Sequence, residues 1–388
     1  MTPTAAVELE LVDAPRTPAE TAGFLPRLAE ALRGGAPLVP VPASGVERER
    51  LLEVGAGVRV PPETALVVPT SGSTGEPRLA VLSRAALTES ADATHLALGG
   101  PGRWLLALPT THIAGMQVLV RSLRSGQGPV VVDSTDGFTA DSFVQAVASL
   151  DMAASELPHY SALVPTQLQR LLDDGAGVEA LWALDAVLVG GAAMPATLLD
   201  RARDAGVTVV RTYGMTETCG GCVYDGVPLP GVDVAINADG RVRIAGAVLF
   251  DGYLDASQPA VTDGWFTTGD IGRQFDGVLH VDGRADNVIV TGGVNVPAEA
   301  VERAMLESAE IEDAIVVGVP DDEWGERVVA MVTAAEAIDV DDVRPNLGGV
   351  LPATWLPREV VTLEALPMLD SGKPDRAAVR RLAVYLTR

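Results

Sequence analysis

The sequence predicts an α/β fold: a large N-terminal domain over residues 1–285, with mainly parallel sheets flanked by helices plus a β subdomain, and a small α+β C-terminal domain over 286–388. Three observations lead there. From about residue 60 to 212, apolar strand-like runs alternate with amphipathic helical stretches, the pattern of a sheet covered on both faces. Near residue 225 the texture changes to Gly, Asp and short alternating strands, which reads as antiparallel sheet. A third texture begins after Gly283-Arg284 and sets the boundary near Asp286.

Taken in order, residues 1–60 are rich in Pro and Ala, with one helical stretch near 19–33. Residues 64–70 read as a buried strand running into a small-residue loop at 71–77, and Ser83 then caps a helix to about 98. Strands over 104–108, 129–132, 186–189 and 207–212 are interleaved with helices over 115–123, 142–150, 166–173 and 196–205. Such sheets take ligands at the loops leaving the strands' carboxyl ends. After the β unit at 232–280 come a helix at 297–308, strands near 311–319 and 327–333, and a last helix from Pro374.

Composition narrows the function. A chain of 388 residues with 47% hydrophobic content can bury two or three cores. The most apolar stretch, 104–120, is broken by Pro109, Thr110, Thr111 and His112, so no membrane span is expected. No basic start precedes an apolar run, so no secretory leader is expected and the chain reads as cytoplasmic. A net charge of −24 argues against nucleic acid and anionic membranes as partners; a bound anion needs a locally built pocket. Cys219 and Cys222 form a lone C-x-x-C while the four histidines are scattered singly, so the pair reads as reduced thiols, with a redox pair as the alternative. Of the 28 basic residues only Lys373 is a lysine, which singles out a compact ammonium at that position.

Four stretches could carry chemistry. In the first, Thr70-Ser71-Gly72-Ser73-Thr74-Gly75-Glu76-Pro77-Arg78, glycines let backbone N–H groups and hydroxyls surround a phosphate; a surface turn is the alternative. The second is Thr212-Tyr213-Gly214-Met215-Thr216-Glu217-Thr218, at the end of a predicted strand. There Tyr213 offers a flat face for a base, Thr216 a donor for phosphate, and Glu217 a hard oxygen suited to Mg²⁺. In the third, Gly269-Asp270 with Gly283-Arg284 and Gly292-Gly293, the fixed Asp270 could take both ribose hydroxyls and Arg284 could reach the same sugar; a β-turn Asp is the alternative. The fourth, Leu369-Asp370-Ser371-Gly372-Lys373-Pro374-Asp375, presents the lysine in a turn just before a helix.

In this order the four stretches resemble the signatures of the adenylate-forming superfamily of acyl- and aryl-CoA synthetases, adenylation domains and luciferases. The first resembles its phosphate loop, with Arg78 where lysine is usual; Tyr213–Glu217 resembles its Y-G-x-T-E motif, Asp270 its ribose-binding acid, and Gly283 to Asp286 its hinge, with Asn287 where an acid is frequent. Ser371, Gly372 and Lys373 resemble its catalytic lysine motif, and Gly190-Gly191-Ala192-Ala193 and Leu108-Pro109 with His112 and Gly115 resemble two further signatures. The short lead and the run 217–226 are similar to the o-succinylbenzoate–CoA ligases of menaquinone biosynthesis.

The resemblance implies ATP, Mg²⁺ on Glu217 and coenzyme A as co-substrate, and a C-terminal domain that rotates at Asp286 between acyl-adenylate and thioester formation. It implies catalytic roles for Lys373, Thr216 and His112. Nucleotide or coenzyme contacts fall to Thr70, Ser71, Gly72, Ser73, Thr74, Gly75, Arg78, Gly191, Ala192, Tyr213, Gly214, Met215, Thr216, Asp270, Arg284, Lys373, Gly292 and Gly293. A ligase for another aryl or fatty acid, a stand-alone adenylation enzyme serving a carrier protein, and a nucleotide-binding scaffold are the alternatives. The sequence leaves a homodimer open.

Overall fold

The computed structural model describes residues 6–70, 78–150, 157–254, 256, 259–308, 310–368 and 374–387. Its central element is a seven-stranded sheet whose middle is parallel. Strands Val209–Met215, Ala186–Val189, His159–Leu163, Arg103–Leu106 and Val130–Val131 lie side by side in that order. Gly220–Tyr224 and Val227–Pro228 add an antiparallel margin beyond Val209–Met215. A second sheet pairs Glu10–Asp13, Leu38–Val41 and Thr64–Pro69 in parallel, then Leu79–Ser83 and Gly252–Tyr253 antiparallel. The expectation of mainly parallel sheets therefore holds for most of both, with one antiparallel margin on each.

The helices form where local chemistry starts them. Ser83 accepts from the Ala86 N–H and opens Arg84–Ala97; Thr17 and Glu20 close a capping box at the start of Pro18–Leu32. The lead before residue 60 is more ordered than its Pro- and Ala-rich composition suggests. It supplies two strands of the second sheet and a further helix, Val46–Gly55. The strand His159–Leu163 and the helices Gly175–Leu181 and Val340–Leu347 are likewise additions to the sequence reading.

Between 232 and 284 an antiparallel sheet is built from Val232–Ile236, Arg241–Gly246, Trp265–Phe275 and Val278–Arg284. A one-turn 3₁₀ segment, Ala285–Asn287, leads from it into the C-terminal sheet. There Ile311–Asp321 and Gly325–Ala334 form a long hairpin; on the other side of Gly325–Ala334, Val288–Thr291 (itself paired with Val294–Pro297) meets it at Gly325 and Glu359–Leu363 pairs in parallel with Val329–Thr333. Helices Ala298–Met305 and Arg376–Leu386 pack on that sheet through Val301, Met305, Val379 and Ala383, all fully buried. The buried apolar clusters of residues 9–279 and those of 289–383 share no member. Among the described residues no helix is long and apolar enough to cross a membrane.

Candidate active site

The parallel strands run the same way, so the segments leaving their carboxyl ends line one edge of the sheet. Ala186–Val189 is followed by Gly190 and by exposed Gly191 and Ala192; Val209–Met215 is followed by the turn Thr216–Thr218; Arg103–Leu106 leads to His112. His112 begins the helix Ile113–Arg124 and is exposed. Its strand lies three positions from Val209–Met215, about 14 Å at the usual strand spacing.

The expected strand at 207–212 ends later than predicted, at Met215, so Tyr213 and Gly214 belong to the sheet rather than to a loop. The cause is the return strand Gly220–Tyr224, which pairs Tyr213 with Val223 and Gly214 with Gly221. Glycine is required at 214, where a Cβ would stand 2.1 Å from the Gly220 carbonyl, and at 190, where it would stand 2.2 Å from Thr212 Oγ1. The turn that follows is held by Thr218, whose Oγ1 accepts from the Met215 N–H at 2.9 Å, and by Cys219, which takes a left-handed φ of 51°. Half-buried Thr216 heads this turn. Cys219 and Cys222 are free and buried, and burial raises both thiols, Cys222 to about 12. They are packing groups, not a reactive pair.

Two polar clusters grow from this strand and turn. In the first, the Tyr213 hydroxyl donates to Asp270 Oδ2 at 2.7 Å, Arg284 Nη1 stands 3.4 Å from Oδ1, and the Asp270 N–H donates to Thr268 Oγ1 at 3.0 Å. Asp270 is 9% exposed, and burial pushes its carboxyl above the ordinary range while Tyr213 and Arg284 pull it back. Tyr213 is raised well above an ordinary phenol by its own burial and by the Asp270 carboxylate. Arg284 does not point away toward a sugar alone. It bridges Asp270 and Asp286, the latter at 3.0 Å, and so ties the ribose candidate to the hinge candidate.

In the second cluster Glu217 is buried and its Oε1 accepts from the Tyr253 hydroxyl at 2.6 Å. The Arg78 guanidinium lies 3.3 Å from the centre of the Tyr253 ring. Tyr253 comes from a short strand that pairs it with Ala80, two residues from Arg78, which explains the stacking. Tyr253 was invisible to motif reading. It is one of five tyrosines and nothing adjacent in the chain marks it.

Of the remaining expected residues, Thr70 is buried and its N–H donates to the Arg78 carbonyl at 2.7 Å, so the two ends of the glycine-rich loop meet. Ser71, Gly72, Ser73, Thr74, Gly75 and Lys373 lie outside the described residues. Gly292 and Gly293 form the two-residue turn between Val288–Thr291 and Val294–Pro297, with φ of 55° and 78°, a conformation that favours glycine at both positions. They sit in the C-terminal sheet, apart from both clusters in the chain order. Among the described residues no group of three or more His, Cys, Asp or Glu could by itself hold a metal ion.

Comparison with known proteins matches these features. The model of the AMP-binding enzyme family covers residues 19–265, and that of the AMP-binding enzyme C-terminal domain covers 300–373. A probable 2-succinylbenzoate–CoA ligase of Mycobacterium tuberculosis is 45% identical over 374 residues, 94% of this chain and 96% of that one. The indoleacetate–CoA ligase of Aromatoleum aromaticum is 33% identical, covering 89% and 74%. The o-succinylbenzoate CoA synthetase of Bacillus subtilis, solved with its acyl-adenylate intermediate, has the same fold, with a TM-score of 0.74 at 24% identity over 96% of this chain and 83% of that one; it has also been solved with ATP and magnesium. The chain belongs to the AMP-binding enzyme family.

Proposed function

We propose that the protein is an ATP-dependent acid–thiol ligase that converts 2-succinylbenzoate to its coenzyme A thioester through an acyl-adenylate, with AMP and diphosphate as products. The observation that carries this is the 45% identity to the Mycobacterium tuberculosis ligase over nearly the full length of both chains. The site geometry supports it. One oxygen of the substrate carboxylate attacks the α-phosphorus and diphosphate leaves; the coenzyme thiol then attacks the acyl carbon and AMP leaves.

Asp270, fixed by Tyr213, Thr268 and Arg284, presents acceptor lone pairs for the ribose hydroxyls. Gly190, Gly191 and Ala192 offer backbone at the same edge, where glycine lets a ligand approach closely. Mg²⁺ fits Glu217: the ion takes one or two protein carboxylates plus substrate phosphates, and Glu217 is a buried carboxylate with one oxygen oriented by Tyr253. Bound there it would neutralise phosphate charge. Thr216 supplies a hydroxyl beside it, and Arg78 a guanidinium held over Tyr253. His112, at the same sheet edge, is assigned to the wall between acid and coenzyme sites. Lys373 delivers the ammonium that offsets repulsion between carboxylate and triphosphate. We place the domain boundary at Asp286, and the C-terminal unit alternates about it between the half-reactions.

Diphosphate release that depends on an added acid tests the assignment. 2-Succinylbenzoate should drive it far better than benzoate, indoleacetate or short fatty acids. A preference for indoleacetate would move the substrate to another aryl acid, and no acid-dependent release would overturn the enzyme reading.

A further inference from the structure

The helix Ala298–Met305 carries two carboxylates one turn apart, Glu299 and Glu302, and they face different parts of the molecule. Glu302 is buried in the C-terminal unit. It receives Arg376 Nη2 at 2.6 and 2.7 Å and the Val316 N–H at 2.7 Å. Glu299 faces the connection to the preceding sheet. Its Oε2 accepts from the backbone N–H of Arg284 at 3.2 Å, and its Oε1 accepts from Asn287 Nδ2. Arg284 precedes Asp286 and Asn287 follows it, so one carboxylate spans the pivot assigned above.

Two neighbours mark this arrangement as built. A Cβ on Gly283 would lie 2.4 Å from Glu299 Oε2, so the carboxylate occupies the space that a side chain at 283 would need. Arg376, three residues beyond Lys373, has its Nη2 3.6 Å from Glu299 Oε1. The same cluster continues through Arg284 to Asp270. A hydrogen bond to the Arg284 N–H therefore links the ribose candidate, the pivot and the root of the last helix.

We propose that Glu299 is a latch: a positioning residue that stabilises this orientation of the C-terminal unit, and with it one of the two half-reactions. The proposal rests on the alternating mechanism assigned above. A large turn at Asp286 carries Glu299 away from Arg284, which stays with the N-terminal sheet, whereas Asn287 travels with the helix. The Arg284 bond thus exists in one orientation only, and a contact made in one of two states shifts their populations.

The test measures both half-reactions in Glu299→Gln, Glu299→Ala, Asn287→Ala and Gly283→Ala. The first is acid-dependent exchange of diphosphate into ATP; the second is thioester formation from supplied acyl-adenylate and coenzyme A. Thermal melting serves as the folding control. The expected result is a change of about 5-fold or more in the ratio of the two rates, in the same direction for Glu299→Ala and Gly283→Ala, since coupling energies of this kind are typically worth 5–150-fold. Should Gly283→Ala fail to fold, Glu299→Ala is set against Asn287→Ala, which loses a bond kept in both orientations and should leave the ratio unchanged; a matching shift in both would also overturn the latch. Equal losses in both half-reactions, or no change in either, would overturn the latch. A wild-type chain unable to form acyl-adenylate would overturn the function assigned above and is thereby distinguished from failure of the latch.

Discussion

Tyr253 joins two groups that lie far apart in the chain: its hydroxyl orients Glu217 while its ring carries Arg78. Tyr253→Phe keeps the ring and removes the hydroxyl. Outer partners of metal-binding carboxylates are typically worth 10–100-fold in metal affinity or activity, so we expect about 10-fold more Mg²⁺ to be needed for half-maximal adenylate formation. An unchanged Mg²⁺ dependence would remove Glu217 from the metal site. Asp270 gives a pH prediction. Burial lifts its carboxyl above the ordinary value of 3.8, so on acidification it takes up a proton before exposed carboxylates do, and the protonated group has lost acceptor capacity. AMP affinity should fall as pH drops into that range, and Asp270→Asn should bind weakly at every pH without the step. In the empty protein the sign reverses, because protonation relieves the cost of a buried charge. Asp270 and Glu217 were legible in the sequence because both stand in short glycine-bearing motifs. Tyr253 and Glu299 were not, since strand pairing and helix docking bring them to the site.

Elements show the same division. The helix Arg84–Ala97 was readable from its Ser83 cap, and the strand Ala186–Val189 from its apolar run. The five-residue strand His159–Leu163 was missed because it is too short to show a period, and the Gly175–Leu181 helix because its glycines argue against one. Antiparallel margins escaped notice because pairing partners are not written locally. On Arg84–Ala97, His95 is buried and its Nε2 accepts from Trp104 Nε1 at 3.2 Å. Burial, with Arg121 close by, lowers its pKa from 6.5 to about 4. The unfolded chain therefore protonates first. Stability from the neutral imidazole is complete above pH 6.5 and is lost as pH falls toward 4. Melting temperatures should drop between pH 7.5 and 5, and His95→Gln, though less stable at neutral pH, should show a flatter decline. An identical slope in the variant would show that other groups govern acid lability.

At the scale of the whole molecule the problem is charge. A chain of net charge −24 must bring a carboxylate, a triphosphate and a coenzyme together, and its bulk field opposes all three. On the proposed assignment the answer is local, with Arg78, Arg284 and the expected Mg²⁺ on the N-terminal side of Asp286, and with Lys373 on the other side. The buried clusters divide at the same place, which supports two units able to move as bodies. If Lys373 is delivered only for the first half-reaction, the two halves of catalysis separate genetically. Lys373→Ala should cost adenylate formation about 3–4 kcal/mol, roughly 10²–10³ in rate, the usual price of a lost transition-state donor. Lys373→Arg should also fall substantially, because a planar fork does not reproduce a compact ammonium. Both variants should still convert supplied acyl-adenylate and coenzyme A to thioester at close to the wild-type rate. Single-turnover assays of each step decide it: parallel losses in both would mean that Lys373 serves one fixed site and that the C-terminal unit does not alternate.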